Sequence, residues 1–96
     1  MWTLRGSDAA ANSWTFRVQS GAVKTVGRTT GADFVVDAAL VSRIHCRLEA
    51  AADGLHVTDL SSTNGTWVNG KRIGRARLIT GDRLRVGRVE LNVSSE

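Results

Sequence analysis

Apolar and polar residues alternate along several short stretches of this chain. In Trp14-Thr15-Phe16-Arg17-Val18, Leu55-His56-Val57-Thr58 and Val89-Glu90-Leu91-Asn92-Val93, an apolar side chain returns at every second position. That period lines one face of a pleated strand, so each stretch predicts a half-buried β-strand. No apolar stripe at the helical spacing i, i+3, i+4, i+7 persists for three turns. Ala50-Ala51-Ala52 is cut short by Asp53-Gly54.

Turn signals separate these stretches. Asn69-Gly70 lies between Trp67-Val68 and Lys71-Arg72-Ile73, and both residues accept the positive φ that a two-residue type I′ hairpin loop requires. Asp53-Gly54 is read the same way between Cys46–Ala50 and Leu55–Asp59. Gly87-Arg88 fits a type II′ turn between Leu84–Val86 and Val89–Val93, and Ser20-Gly21 joins Trp14–Val18 to Val23–Val26. The reading yields about eleven short strands, the pattern of an all-β sandwich or barrel.

Length and composition narrow the class. Ninety-six residues, 42% hydrophobic and 23% charged, suit one small domain over residues 1–96 with its core at about 2–93. The polar Ser94-Ser95-Glu96 reads as the start of a linker within a longer protein. A single cysteine, Cys46, excludes an internal disulfide framework and a Cys-rich zinc module, and it is read as a small buried apolar residue. Two histidines without clustered carboxylates give no metal site, and no cofactor is expected. No apolar run reaches the roughly 20 residues of a membrane span, and the N-terminus lacks an apolar signal segment. A cytoplasmic location away from membranes is expected.

Thirteen Lys+Arg against nine Asp+Glu leave a net charge of +4, which points to an anionic partner without naming it. Lys71, Arg72, Arg75, Arg77, Arg83, Arg85 and Arg88 crowd one stretch, opposed only by Asp82. A nucleic-acid-binding patch is one reading. The alternation in Arg83-Leu84-Arg85-Val86 favours solvent-facing strand positions instead. His56, between Leu55 and Val57, is likewise read as solvent-facing.

Three segments do not read as strands: Arg28–Asp33, Asp37–Arg43 and Ser61–Thr66. The first and third are small, polar and Gly-containing, as binding loops on a rigid scaffold tend to be. Ser42 and His45 have the residue types of a nucleophile and its base. Their spacing supplies neither an orienting third group nor oxyanion donors, and no G-x-S-x-G elbow is present. His45 is read instead as a tie between loop backbone and sheet.

Taken together, Gly27-Arg28, then Ser42-x-x-His45, then Thr63-Asn64-Gly65 with Asn69-Gly70 resembles the forkhead-associated (FHA) domain family, over about Trp2 to Val93. The resemblance implies an eleven-stranded, antiparallel-rich β-sandwich with binding loops at one end. It also implies non-catalytic recognition of phosphothreonine in peptides. Carried over by motif, Arg28 is the main phosphate clamp, Ser42 donates its hydroxyl to a phosphate oxygen, and Arg43 and Thr63 complete the phosphothreonine contacts. Asn64 hydrogen-bonds the peptide backbone. Gly27, His45, Gly65, Asn69 and Gly70 support the loops. The implied partner is a phosphothreonine-containing protein, such as a Ser/Thr kinase substrate, or the chain's own phosphorylated flank, bound by a monomer. A nucleic-acid-binding domain and a phosphate-independent interaction domain are the competing readings. The absence of Tyr and Pro beside abundant Ala, Gly and Arg fits a bacterial source.

Overall fold

The computed structural model describes all 96 residues, and every regular element in it is a strand. In chain order these are β1 (Trp2–Ser7), β2 (Ser13–Val18), β3 (Val23–Gly27), β4 (Phe34–Val35), β5 (Cys46–Ala51) and β6 (Gly54–Asp59). They continue with β7 (Thr66–Val68), β8 (Lys71–Ile73), β9 (Arg75–Leu78), β10 (Arg83–Val86) and β11 (Val89–Ser95). One sheet has six strands in the order β2-β1-β11-β10-β7-β8, and the other has five in the order β4-β3-β5-β6-β9. Apart from the short parallel pair β3–β4, each ladder is antiparallel.

The alternation sorts side chains as expected. β5 buries Cys46, Leu48 and Ala50, while β11 buries Val89, Leu91 and Val93 and exposes Glu90 and Asn92. Facing residues of the two sheets, with Val36 and Val41 from the β4–β5 connection, make a core of 16 buried side chains, Leu4, Val26, Leu48, Leu55, Leu84 and Leu91 among them. At about 1.5–3 kcal/mol per buried aliphatic side chain, this burial is the main term holding the sheets together. Phe16 of β2 and Phe34 of β4 stack with ring centroids 4.6 Å apart, joining the two sheets along one side. On the other side the chain steps from β8 to β9 through Gly74 alone.

Three local expectations change in detail. The β5–β6 turn is Ala52-Asp53, one residue earlier than the sequence suggests, because Ala51 pairs with Gly54 and Gly54 takes the left-handed backbone at φ 132°. Thr66 lies in β7 rather than in the preceding loop, fully buried and paired with both Ile73 and Val86. His56 does lie on the outer face, but its side chain is only 15% exposed: Glu49 and Arg77 stand opposite it and its Nε2 hydrogen-bonds Asp53 Oδ1 at 2.8 Å. That bond is the main reason the Asp53 carboxyl sits below its ordinary value. The Asn69-Gly70 and Gly87-Arg88 turns have the expected signs of φ: 51° and 82° in the first, and 58° at Gly87 in the second. Gly21, at φ 83°, lies in a connection that leaves one sheet for the other, since β2 pairs only with β1 and β3 only with β4 and β5.

Candidate functional site

The long connections gather at the end of the sandwich where β3, β6 and β10 finish. The first two of the three loops are zipped onto each other. Gly27 lies so close to the next loop that a Cβ there would stand 2.0 Å from the Arg43 carbonyl oxygen, so no side chain fits. Around it, Arg28 N donates to Ser42 O (2.9 Å), His45 N to Val26 O (2.7 Å) and Val36 N to Gly27 O (2.8 Å). Arg28 Nε then donates to Val41 O at 2.9 Å. This fixes the plane of the guanidinium and leaves both terminal nitrogens free.

His45 joins these loops to the third. Fully buried, it accepts from Ser42 N at Nδ1 (3.0 Å) and donates from Nε2 to Gly65 O (2.8 Å). The backbone donor at Nδ1 requires a lone pair there, so the ring proton sits on Nε2. With both nitrogens committed to backbone, the imidazole is a tie and does not activate Ser42. Ser42 Oγ itself accepts from Thr63 N at 3.0 Å, which leaves its hydroxyl hydrogen to donate elsewhere. Asn64 Nδ2 donates to Leu40 O (3.1 Å), and the Asn64 carbonyl accepts from Trp67 Nε1 (3.1 Å).

The result is a cleft of about 660 Å³ lined by Arg28, Ala39, Leu40, Val41, Ser42, Arg43, Ile44, Ser61, Thr63 and Asn64. It contains two arginines, hydroxyls and an amide but no carboxylate, and neither arginine takes part in an ion pair. Every residue assigned to phosphothreonine or peptide contact by motif is therefore on one surface: Arg28, Ser42, Arg43, Thr63 and Asn64. Of the support residues, Gly27, His45 and Gly65 bind or touch the cleft loops. Asn69 and Gly70 do not. They form the turn at the other end of the β7–β8 hairpin, roughly 13 Å along the strands from Gly65. There Asn69 bonds Asp82 Oδ1 and Arg83 N.

Two supports escape the motif reading. Asp59, at the end of β6, accepts at Oδ1 from the Ser62 and Thr66 hydroxyls and at Oδ2 from Ser62 N. Burial alone would raise its pKa, but these hydrogen bonds together outweigh burial and hold the carboxyl below its ordinary 3.8. A strand-ending Asp with Ser61-Ser62 two residues on is the only signal in the sequence. Gly87, read only as a turn former, packs under the cleft rim, where a Cβ would stand 2.8 Å from the Ala39 carbonyl oxygen. Beside His45, Cys46 is fully buried, and burial, then the Asp59 charge, push its thiol up to about 12. It stays a protonated packing residue. No three His, Cys, Asp or Glu side chains gather anywhere in a way that could hold a metal ion.

Comparison with known proteins agrees with this geometry. The family model of the FHA domain matches residues 24–87. The ABC transporter ATP-binding/permease protein Rv1747 of Mycobacterium tuberculosis is 39% identical over 71 residues, 74% of this chain and 8% of its own length. The glycogen accumulation regulator GarA of the same species is 33% identical over 70 residues, 73% of this chain and 43% of its own. This chain thus spans under half the length of these relatives. An FHA domain solved for phosphothreonine-dependent interactions superposes with a TM-score of 0.83 at 30% identity, covering 99% of this chain and 96% of the other. The two-sheet fold, the loop cluster and the matched segment place the chain in the FHA domain family.

Proposed function

We propose that this chain is a phosphothreonine-peptide recognition module that mediates phosphorylation-dependent protein–protein interaction without catalysis. One observation carries the reading: Arg28 is oriented through Nε on Val41 O, with its two terminal nitrogens free in a carboxylate-free cleft that Ser42 also lines. A phosphomonoester brings about −1.5 to −2 charges and three acceptor oxygens at neutral pH. A pre-set planar donor pair and a hydroxyl donor suit that group, because geometry and charge are in place before it arrives.

In this reading Arg28 clamps the phosphate, Ser42 donates to one oxygen, Arg43 and Thr63 flank the phosphothreonine, and Asn64 holds the peptide backbone with its free Oδ1. Charge-assisted hydrogen bonds of about 1.5–3 kcal/mol each supply much of the ~8 kcal/mol of a micromolar complex. Preference over phosphoserine rests on one methyl group, worth about 1–3 kcal/mol. The partner is a phosphothreonine-bearing protein, such as a kinase substrate, or a phosphorylated flank of a longer polypeptide that carries this domain. Regulator-type relatives such as GarA support a binding role over an enzymatic one.

Isothermal titration tests it. A phosphothreonine peptide binds with micromolar Kd, its unphosphorylated form binds at least 100-fold more weakly, and Arg28→Ala loses about 100-fold or more. Equal affinity for both peptides, unchanged by Arg28→Ala, overturns the reading.

A further inference from the structure

The basic run from Lys71 to Arg88 is a cluster in sequence but not in space. Arg75 and Arg77 lie on the outer face of the five-stranded sheet, where Arg77 pairs with His56. Arg72, Arg83 and Arg85 lie on the outer face of the six-stranded sheet, and the N-terminal strands add Arg5 and Arg17 to the same face. Register fixes this assignment: Leu4, Thr66, Leu84, Val86, Leu91 and Val93 point inward, and the residues between them point out. Glu90 is the only carboxylate among these outward strand positions. Five arginines against one carboxylate leave an excess of four, as large as the net charge of the entire chain. Elsewhere the formal charges cancel.

Ladder positions order the five arginines. Arg72 on β8 and Arg85 on β10 stand in the row nearest the cleft, Arg83 and Arg5 in the next, and Arg17 on the β2 edge in the third. They form a diagonal stripe about 25 Å long at normal strand spacing. Its near end meets the cleft. Arg72 lies against Gly65, with Nε 2.7 Å from where a Cβ would be. The Arg85 guanidinium sits 4.7 Å from the centre of the Trp67 ring, and Trp67 Nε1 holds the Asn64 carbonyl. Apart from Arg83, 3.9 Å from Glu90, none of the five has an acidic partner.

We propose that this stripe is a second docking surface, for an acidic segment of the same protein that presents the phosphothreonine. The proposal rests on the phosphothreonine reading of the cleft. An extended segment of about eight residues spans the stripe. Guanidinium groups suit carboxylates, which they can bind bidentately. A polypeptide can place a neutral residue over Glu90, which the evenly spaced charges of a nucleic-acid backbone cannot do. The Trp67 face that would stack a base is taken up by Arg85.

Titration calorimetry with one short phosphothreonine peptide and two versions extended by ten Asp/Glu-rich residues, one on each side, tests this. At low salt one extended peptide should bind about tenfold tighter than the short one, and the gain should vanish at 300 mM salt. In Arg5→Glu/Arg83→Glu, and in the milder Arg5→Gln/Arg83→Gln, the gain should disappear while short-peptide affinity and thermal stability hold. No gain from either extension, or a gain that survives both double variants, overturns the stripe and leaves the cleft reading standing. Failure of the short peptide to bind overturns both. Duplex DNA that binds tighter than the extended peptide, and is lost in the same variants, assigns the face to nucleic acid and overturns the proposal.

Discussion

At the end of the sandwich where the chain termini lie, strands are joined by Gln19–Ala22, Ala52-Asp53, Asn69-Gly70 and Ile79–Asp82, none longer than four residues. At the cleft end the chain runs for six residues from Arg28 to Asp33, ten from Val36 to His45 and six from Leu60 to Gly65. The short end is closed largely by backbone, with Gly21 N, Asn69 N and Gly81 N donating to Ala50 O, Arg83 O and Val93 O. Gly21, Gly70 and Gly81 take left-handed backbone, and Asp82 and Asn69 hydrogen-bond backbone and each other across adjacent turns. The long end is held by a few side chains acting across the sequence: His45 on Gly65, Asn64 on Leu40 and Ser42 on Thr63. Positive φ occurs on side-chain-bearing residues at both ends, at Leu40 (69°) and Ser61 (56°) beside the cleft and at Asn69 (51°) opposite. A turn satisfied by backbone tolerates substitution, whereas a loop satisfied by one distant side chain does not.

His45→Ala should produce the largest break. It strands a backbone donor at Ser42 and an acceptor at Gly65, each costing about 1–3 kcal/mol when unsatisfied. We expect about 2–4 kcal/mol lost in urea unfolding and phosphopeptide affinity at least tenfold weaker. Unchanged affinity would show that the loops keep their shape without this tie.

Asp59 gives a smaller, pH-dependent effect. Its folded pKa is lowered, so its contribution is present above the unfolded value near pH 4 and is lost as pH falls through the folded value. Asp59→Asn should cost on the order of 1 kcal/mol at pH 7. Urea midpoints at pH 7 and pH 3 should differ less in the variant than in the parent chain. An equal acid loss in both would remove Asp59 from the account.

Gly70→Ala should do least. A Cβ there meets nothing within 4 Å, so only the left-handed backbone, at φ 82°, is penalised, at about 1 kcal/mol. Calorimetry should show phosphopeptide affinity unchanged. A parallel fall in affinity would mean that the two ends are not independent.

The same division explains what could be read from the sequence. Strand alternation and the Asn69-Gly70 and Gly87-Arg88 turns are local, and each is found where its residues indicate. Arg28, Ser42, Thr63 and Asn64 were legible as a set because the FHA motif carries them, and the fold brings them to one cleft. Distant partners were not legible. Nothing near Asp59 tells that its carboxylate carries Thr66, seven residues on. Nothing near Gly87 tells that Ala39 presses on it. The placement of Asn69 and Gly70 away from the cleft follows from hairpin direction, which a linear motif does not encode. The division of the Lys71–Arg88 bases between two faces depends on which sheet each strand joins.

Met1 and Glu96 are hydrogen-bonded to each other by backbone, Glu96 N to Met1 O at 2.9 Å, at the end away from the cleft. The molecule measures 26–33 Å across, so a phosphothreonine on a segment leaving from either terminus must cross about that distance to reach its own cleft. At roughly 3.3 Å per extended residue this takes a tether of about ten residues. If the proposed reading holds, a phosphothreonine closer than that along the chain would be out of reach of its own cleft. On the proposed phosphothreonine reading, tether length would thus set whether capture within one molecule is geometrically open.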